Sequence, residues 1–280
     1  MTQDIPAPQR RYARVLSIAG SDSGGGAGIQ ADLKTFSALG CYGMTAITAI
    51  TAQNTQGVRA IHGVPTDILR AQIDAVVEDI GVDAVKIGML HAPEVVQVVA
   101  DAIRRHDLPN VVLDPVMVAT SGDRLIAEET VGQLVRELFP LAQLVTPNLD
   151  EAGWLLGRSI ALEDELDAAA DALLALGARA VLLKGGHLPG ERVVDVLALP
   201  GGAHHHLASQ RIATRNGHGT GCTLSSAIAA HLALGQPLVP AVQSARRYIL
   251  GAIAAGAQVR TGHGHGPLNH GWAPVSQVVL

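Results

Sequence analysis

From Val15 to about Val181, short apolar runs alternate with longer stretches whose apolar residues recur at helical spacing. This alternation is typical of repeated βαβ units, which build a parallel sheet covered by helices on both faces. The predicted strands are residues 15–19, 43–52, 84–89, 111–115, 144–147 and 180–184. The predicted helices are residues 28–39, 65–80, 93–105, 128–138 and 162–176. We therefore predict a doubly wound α/β fold with a mainly parallel sheet.

The pattern changes after Lys184. Residues 193–199 and 205–213, joined by a Pro-Gly-Gly-Ala turn, predict an antiparallel hairpin at the edge of the sheet. Two alanine-rich helices are predicted to follow, at residues 221–234 and 238–257. Because no linker divides the chain, we expect a flexible tail over residues 1–13 and a single domain over residues 14–280.

Charge and composition disfavour several classes of partner. The net charge is −5 and lysine and arginine form no cluster, which disfavours nucleic acid. No apolar run reaches the ~20 residues of a membrane span without an interrupting glycine, proline or charge. The two cysteines, Cys41 and Cys222, are interpreted as free thiols in a reducing compartment. We expect a soluble, cytoplasmic protein that binds neither nucleic acid nor a membrane.

The glycine-rich segment 216–222 directly precedes a predicted helix. Gly217, Gly219 and Gly221 let the backbone turn tightly, so that several N–H groups can point at one spot. The positive end of the helix favours phosphate and lowers the pKa of a thiol placed there. Cys222 occupies that position, which predicts an anion-binding loop with a reactive side chain. The alternative is an ordinary glycine-rich turn before a buried helix.

Ligands of open α/β sheets bind where the strands end, and several informative residues follow strand ends in this chain. The glycine-rich loop of residues 19–28 has neither Rossmann nor P-loop spacing, so it is interpreted as a wall that a ligand approaches closely. Gln53 offers a donor and an acceptor that match the edge of an aminopyrimidine. Met89 offers a polarisable thioether to a flat heterocycle. Loop capping by Gln53 and core packing by Met89 are the alternatives.

Four further residues predict a site for phosphate and Mg²⁺. Asp114 lies at the end of an apolar strand, and a buried carboxylate needs a partner or a metal. Asn148 and Glu151 share one face of the first turn of a helix, where they form either a capping box or oxygen ligands for Mg²⁺. Lys184, followed by two glycines, lies where a phosphate chain could bind. No zinc site is predicted, because the run His204–His206 alternates across a strand.

Seven motifs, in the same order along the chain, resemble those of a known family. They are AGSDSGGGAGIQADLK from Ala19, TAQNT from Thr51, KIGM from Lys86, DPVM from Asp114, TPNLDE from Thr146, LKGGH from Leu183 and HGTGC from His218. Together they resemble the hydroxymethylpyrimidine and phosphomethylpyrimidine kinases of thiamin biosynthesis, within the ribokinase-like superfamily. The resemblance implies ATP-dependent phosphorylation of 4-amino-5-hydroxymethyl-2-methylpyrimidine, followed by phosphorylation of its monophosphate to the diphosphate.

The same resemblance implies the roles of individual residues. The implied pyrimidine pocket is lined by Gly20, Asp32, Gln53, Met89, Val116 and Cys222. The implied ATP side comprises Asp114, Asn148, Glu151, Lys184 and Thr220. Asp114 and Glu151 would hold Mg²⁺, directly or through water, while the backbone at Gly219 and Gly221 and the charge of Lys184 assist transfer. ATP and Mg²⁺ are the implied cofactors, a small pyrimidine is the implied substrate, and a homodimer is the expected assembly.

Cys222 is the expected general base for the acceptor hydroxyl, as a thiolate favoured by the helix dipole, or else a group that only positions the substrate. Three other readings stay open. A pyridoxal kinase of the same superfamily would share the fold, and a non-catalytic pyrimidine sensor would bind without turnover. A cysteine hydrolase or acyltransferase would use Cys222 as nucleophile, but His218, four residues earlier in a glycine loop, is a poor fixed base for it.

Overall fold

The protein is described from a computed structural model that covers residues 10–117 and 126–280. The strands are β1 (Arg14–Ala19), β2 (Tyr42–Ile47), β3 (Ala49–Asn54), β4 (Gly57–Gly63), β5 (Ala84–Ile87), β6 (Val111–Leu113), β7 (Leu144–Val145), β8 (Val181–Leu183), β9 (Arg192–Leu199) and β10 (Ala203–Gln210). Eight of them form one sheet in the order β10-β9-β8-β7-β6-β5-β1-β2. Six neighbouring strands of this sheet pair in parallel, namely β2, β1, β5, β6, β7 and β8. β9 and β10 add an antiparallel edge hairpin, as the sequence predicted.

Helices cover both faces of this sheet. They are α1 (Gly28–Ala38), α2 (Thr66–Asp79), α3 (Pro93–His106), α4 (Glu128–Glu137), α5 (Leu149–Leu156), α6 (Leu166–Leu174), α7 (Thr220–Ala233) and α8 (Leu238–Gly256), with short 3-10 helices at Phe139–Leu141 and Glu163–Glu165. The apolar sides of α2 to α6 pack into one core, and those of α1, α7 and α8 pack into a second core on the opposite face. The doubly wound arrangement is therefore confirmed.

The structure corrects one predicted strand. Residues 43–52 were predicted as a single strand, but the chain leaves the main sheet at Thr48. The N–H of Thr48 donates to Ala19 O at 3.0 Å, and its hydroxyl donates to Met89 O at 2.8 Å. β3 then pairs with β4, which the sequence analysis missed, in a separate two-stranded sheet. The prediction of one continuous strand is wrong because no turn residue marks the break in the sequence.

The ends of the described chain contact each other. Of the predicted tail, residues 1–9 lie outside the described residues, whereas Tyr12 pairs with Val279 and Ala13 is fully buried. Cys41 and Cys222 are both free. Over residues 10–117 and 126–280, the helices are too short or too polar to span a membrane.

Candidate active site

A cavity of about 720 Å³ opens at the edge of the sheet where the parallel strands end. Glycine-rich loops follow β1 and precede α7, and polar side chains follow β6, β7 and β8. Twelve of the thirteen predicted site residues line this cavity: Gly20, Gln53, Met89, Asp114, Val116, Asn148, Glu151, Lys184, Gly219, Thr220, Gly221 and Cys222. Because parallel strands bring their carboxyl ends to the same edge, residues far apart in sequence meet here.

The ammonium group of Lys184 organises the charged end of the cavity. Lys184 Nζ lies 2.8 Å from Asp114 Oδ1 and 4.0 Å from Glu151 Oε2. Thr146 donates its hydroxyl to the same oxygen of Asp114 at 3.0 Å. A side chain at Gly221 would approach Lys184 Nζ to 3.2 Å, so the start of α7 lies directly beside this ion pair. Positive charge and helix N–H groups thus converge on one region, as binding of phosphate requires.

Asn148 and Glu151 form the capping box of α5. Asn148 Oδ1 accepts the N–H of Glu151 at 2.9 Å, and Glu151 Oε2 accepts the N–H of Asn148 at 2.7 Å. Burial raises the pKa of Glu151 to about 7, although Lys184 opposes the shift. Because the charge of this buried carboxylate beside Asp114 is costly, a divalent cation bound there would offset it, and oxygen atoms are the ligands that Mg²⁺ prefers. The capping box and a pair of oxygen ligands for Mg²⁺ therefore use the same geometry.

Gly219 gives α7 its unusual start. It is the N-cap residue, with φ of 85° in the left-handed region, and a side chain there would collide with the carbonyl oxygen of Gly26. Only glycine fits without strain. The first-turn N–H groups of a helix have no intrahelical partners, and those of α7 lie at the cavity wall.

The pKa of the Cys222 thiol is raised to about 11. Burial is the main cause of the rise, and the carboxylates of Asp32 and Asp114 add to it. The Lys86 ammonium and the Gly28 N–H lower the pKa and so oppose the rise. Burial therefore works against the thiolate that the helix dipole is expected to favour, and the carboxylates of α1 and of the end of β6 add to this effect. The thiolate of Cys222 stays a prediction.

Asp32, the remaining predicted site residue, lies beneath the cavity rather than on its wall. Its carboxylate is fully buried and accepts hydrogen bonds from the hydroxyls of Ser17 and Ser226, both at 2.6 Å. Lys86 Nζ lies 3.0 and 2.9 Å from its two oxygens. These bonds hold its carboxylate below the cavity wall, so Asp32 does not line the cavity as expected. Its role in binding the pyrimidine stays a prediction.

Sequence reasoning missed Lys86 as a site residue. Lys86 is fully buried on β5 and reaches the floor of the cavity. Burial alone would lower the pKa of its ammonium group, but the carboxylate of Asp32 raises it above the ordinary value. The signal was available, because a lysine inside a short apolar strand needs a buried partner.

Gly20 and Met89 form another end of the cavity. The terminal methyl of Met89 lies against the backbone of Gly20, where a side chain would approach it to 2.6 Å. Gln53 also lines this end, and its Oε1 accepts the hydroxyl of Thr51 at 3.2 Å. Reciprocal hydrogen bonds between the Ser23 hydroxyl and the Gln53 backbone hold β3 against the glycine-rich loop. This end suits a flat ring with one polar edge.

His218 does not serve as a base for Cys222. Its Nε2 lies 2.8 Å from Asp22 Oδ2, and within residues 10–117 and 126–280 no hydrogen bond joins its ring to the Cys222 sulfur. His218 therefore does not supply the base that a cysteine hydrolase needs beside its nucleophile.

Comparison with known proteins decides the family. The family model described as phosphomethylpyrimidine kinase matches residues 22–269. The chain belongs to this family. It is 55% identical over 259 residues to the hydroxymethylpyrimidine/phosphomethylpyrimidine kinase of Rhizobium meliloti, covering 92% of this chain and 97% of the relative. Membership makes the protein a kinase that transfers a phosphoryl group, as the motifs indicated.

Solved structures agree with this fold. The Bacillus subtilis pyridoxal kinase, in complex with ADP, superposes with a TM-score of 0.85 at 39% identity, covering 93% of this chain and 98% of that one. The phosphomethylpyrimidine kinase of Clostridium difficile superposes with a TM-score of 0.76 at 45% identity, covering 86% and 99%. The fold of the phosphomethylpyrimidine kinase family is thus ribokinase-like, as predicted.

Proposed function

We propose that the protein transfers the γ-phosphoryl group of ATP to the hydroxymethyl group of 4-amino-5-hydroxymethyl-2-methylpyrimidine, hereafter hydroxymethylpyrimidine. It then phosphorylates the monophosphate to the diphosphate, as one stage of thiamin biosynthesis. One observation carries this proposal: the same cavity is lined by Gly20 and Met89, which suit a flat ring, and by Lys184 and the first turn of α7, which suit phosphate. Cys222 lies in that turn, so we infer that acceptor and donor meet beside it.

The proposal divides the residues between two substrates. Gly20, Met89 and Val116 contact the faces of the pyrimidine ring, and the amide of Gln53 pairs with its polar edge. Asn148 and Thr220 lie with Lys184 on the ATP side. Asp32 acts on this site from below, through Lys86.

Asp114 and Glu151 would hold Mg²⁺. Their carboxylates are both buried, and the raised pKa of Glu151 indicates a place where a cation would offset negative charge. When bound, Mg²⁺ neutralises charge on the phosphates and helps to align them. Lys184 holds Asp114 in place through its 2.8 Å ion pair.

Transfer through a loose transition state needs mainly alignment and neutralised charge. Lys184 and the N–H groups at Gly219 and Gly221 supply both at the phosphate. The acceptor oxygen forms its bond to phosphorus as the bond to the leaving phosphate oxygen breaks. Cys222 then either takes the hydroxyl proton as a thiolate or only orients the hydroxyl, and its pKa of about 11 favours the second role unless bound substrates lower it.

Steady-state kinetics with a substrate panel test the function. The panel contains hydroxymethylpyrimidine, its monophosphate and pyridoxal, each with ATP and Mg²⁺. We expect ATP consumption with both pyrimidines and a kcat/KM for hydroxymethylpyrimidine above that for pyridoxal. A preference for pyridoxal, whose kinases share this fold, would replace the proposal with the second reading. Binding without ATP consumption would identify a sensor. Cytoplasmic location and a homodimer belong to the same proposal. Measurement of the molar mass in solution by light scattering tests the dimer.

A further inference from the structure

Asp22 shapes the first glycine-rich loop of the cavity. Its carboxylate is 1% exposed. Its Oδ1 accepts the N–H of Gly24 at 2.8 Å, and its Oδ2 accepts those of Gly26 and Ala27 at 3.0 and 2.8 Å. Burial alone would raise the pKa of Asp22, but the hydrogen bond from His218 and the backbone N–H groups hold it below its ordinary value. The carboxylate is therefore ionised and acts only as an acceptor.

His218 connects this loop to the second one. Because the ionised carboxylate only accepts, His218 Nε2 carries the proton and donates to Asp22 Oδ2 at 2.8 Å, nearly shielded from water. The backbone N–H of His218 donates to Gly266 O at 3.1 Å. A charge-assisted hydrogen bond of this kind is stronger than a neutral one. The pair thus ties loop 20–28 to loop 216–221 across 196 residues of chain.

The two loops are in direct contact around this bond. A side chain at Gly26 would approach His218 Cδ2 to 2.5 Å, and one at Gly219 would collide with Gly26 O. Loop 20–28 leads into α1, and the N–H of Gly28 donates to the sulfur of Cys222. Cys222 in turn lies in the first turn of α7. The distance between the loops therefore sets where the sulfur stands relative to the wall of the pyrimidine pocket.

We propose that Asp22 and His218 form a loop latch, a positioning pair that holds the acceptor-side loop and the phosphate-side loop in register for transfer. The latch rests on the proposed kinase function, because it aligns the acceptor hydroxyl with the phosphoryl group. It touches neither reacting atom. Misplacement of an acceptor by about 1 Å costs about 10²-fold in rate, and it also lets water compete for the phosphoryl group.

The test compares His218→Ala with His218→Gln. Glutamine places an amide Nε2 that donates at a reach similar to that of the imidazole Nε2, whereas alanine leaves Asp22 Oδ2 without this donor. We expect His218→Ala to lower kcat for pyrimidine phosphorylation by about 10–100-fold while the KM for ATP changes less than about threefold. His218→Gln should recover most of the lost rate. His263→Ala, at an exposed position, is the matched control and should behave as the wild type.

The deciding readout is the ratio of ATP consumed to pyrimidine phosphorylated. We expect this ratio to rise above one in His218→Ala and to return toward one in His218→Gln, because a misaligned acceptor leaves the phosphoryl group open to water. Equal losses in both variants, with the ratio unchanged, would show a purely structural role and overturn the latch. So would a normal kcat in His218→Ala.

Two further arms keep the test decisive. If His218→Ala does not fold, Asp22→Asn removes the charge of the same bond, and the same change in ratio is expected. If the wild type phosphorylates pyridoxal rather than the pyrimidine, the proposed substrate is wrong, but the latch is then measured with pyridoxal as the acceptor. Failure of the latch and failure of the proposed function are therefore distinguishable.

Discussion

Replacing Lys86 with methionine tests the ion pair beneath the cavity. Both side chains are fully buried, and Lys86 Nζ lies 2.9 and 3.0 Å from the two carboxylate oxygens of Asp32. Removing one partner of a buried pair costs about 3–5 kcal/mol, because an uncompensated charge is left behind. Since Ser17 and Ser226 still donate to Asp32 at 2.6 Å, we expect the lower end, a loss of about 3 kcal/mol in the free energy of unfolding.

A double-mutant cycle separates the charge interaction from packing. We expect the loss in the free energy of unfolding of the Lys86→Met/Asp32→Asn double variant to be smaller than the sum of the losses of the two single variants. The difference should be at least about 2 kcal/mol, because the double variant leaves neither charge unpaired. The exposed pair Arg192 and Glu163, 3.4 Å apart, is the matched control. Its coupling in an Arg192→Met/Glu163→Gln cycle should stay below about 1 kcal/mol.

Urea unfolding measures each free energy, with the slope m compared among variants to confirm that the unfolded state is unchanged. A coupling below about 1 kcal/mol for Lys86 and Asp32 would refute the reasoning. Their charges would then be compensated by other groups.

Two other predictions concern the pocket edge and a buried histidine. Gln53→Ala should weaken pyrimidine binding by about 1–3 kcal/mol, because the polar edge of the ring loses its partner, while the KM for ATP hardly moves; an unchanged pyrimidine KM removes Gln53 from the site. Burial lowers the pKa of His270 to about 4, so the folded state binds fewer protons than the unfolded state between pH 4 and the unfolded value of 6.5. The free energy of unfolding in urea should therefore fall by on the order of 2–4 kcal/mol as pH drops through that window. His270→Gln should make this dependence on pH weaker. An equally steep dependence in the variant would exclude His270 as its source.

The architecture was predictable because its signals are local. Each βα unit has an apolar run and a helical stretch close together in sequence, and strand ends gather at one edge by topology alone. The break at Thr48 was not predictable in this way. It depends on hydrogen bonds to Ala19 in β1 and to Met89 in the segment after β5, while the run around it is uniformly apolar or β-branched.

The parts of the site that sequence reasoning missed all depend on pairs of distant residues. The family resemblance implied that Asp32 lines the pocket, but its carboxylate lies beneath the cavity in an ion pair with Lys86 on β5. The contact between Asp22 and His218 spans 196 residues and has no local sequence signal. The pKa of Cys222 departs from the helix-dipole argument mainly because the fold buries the thiol, and the carboxylates of Asp32 and Asp114 add to the rise. Burial by several elements outweighs a rule based on one helix.

Single-turnover phosphorylation by Cys222→Ala tests the central claim, that phosphoryl transfer takes place beside Cys222 at the junction of the two ends of the cavity. With ATP, Mg²⁺ and hydroxymethylpyrimidine, we expect the rate to fall by about 10²–10⁴-fold, because the acceptor hydroxyl loses the group that orients it or accepts its proton. Calorimetry should show both substrates still bound. Cys222→Asp should retain or recover part of the activity, because an ionised carboxylate there can accept the same proton. A near-normal rate in Cys222→Ala, with intact Mg²⁺ dependence, would contradict the account and leave alignment by Lys184 and the glycine loop as the whole of catalysis.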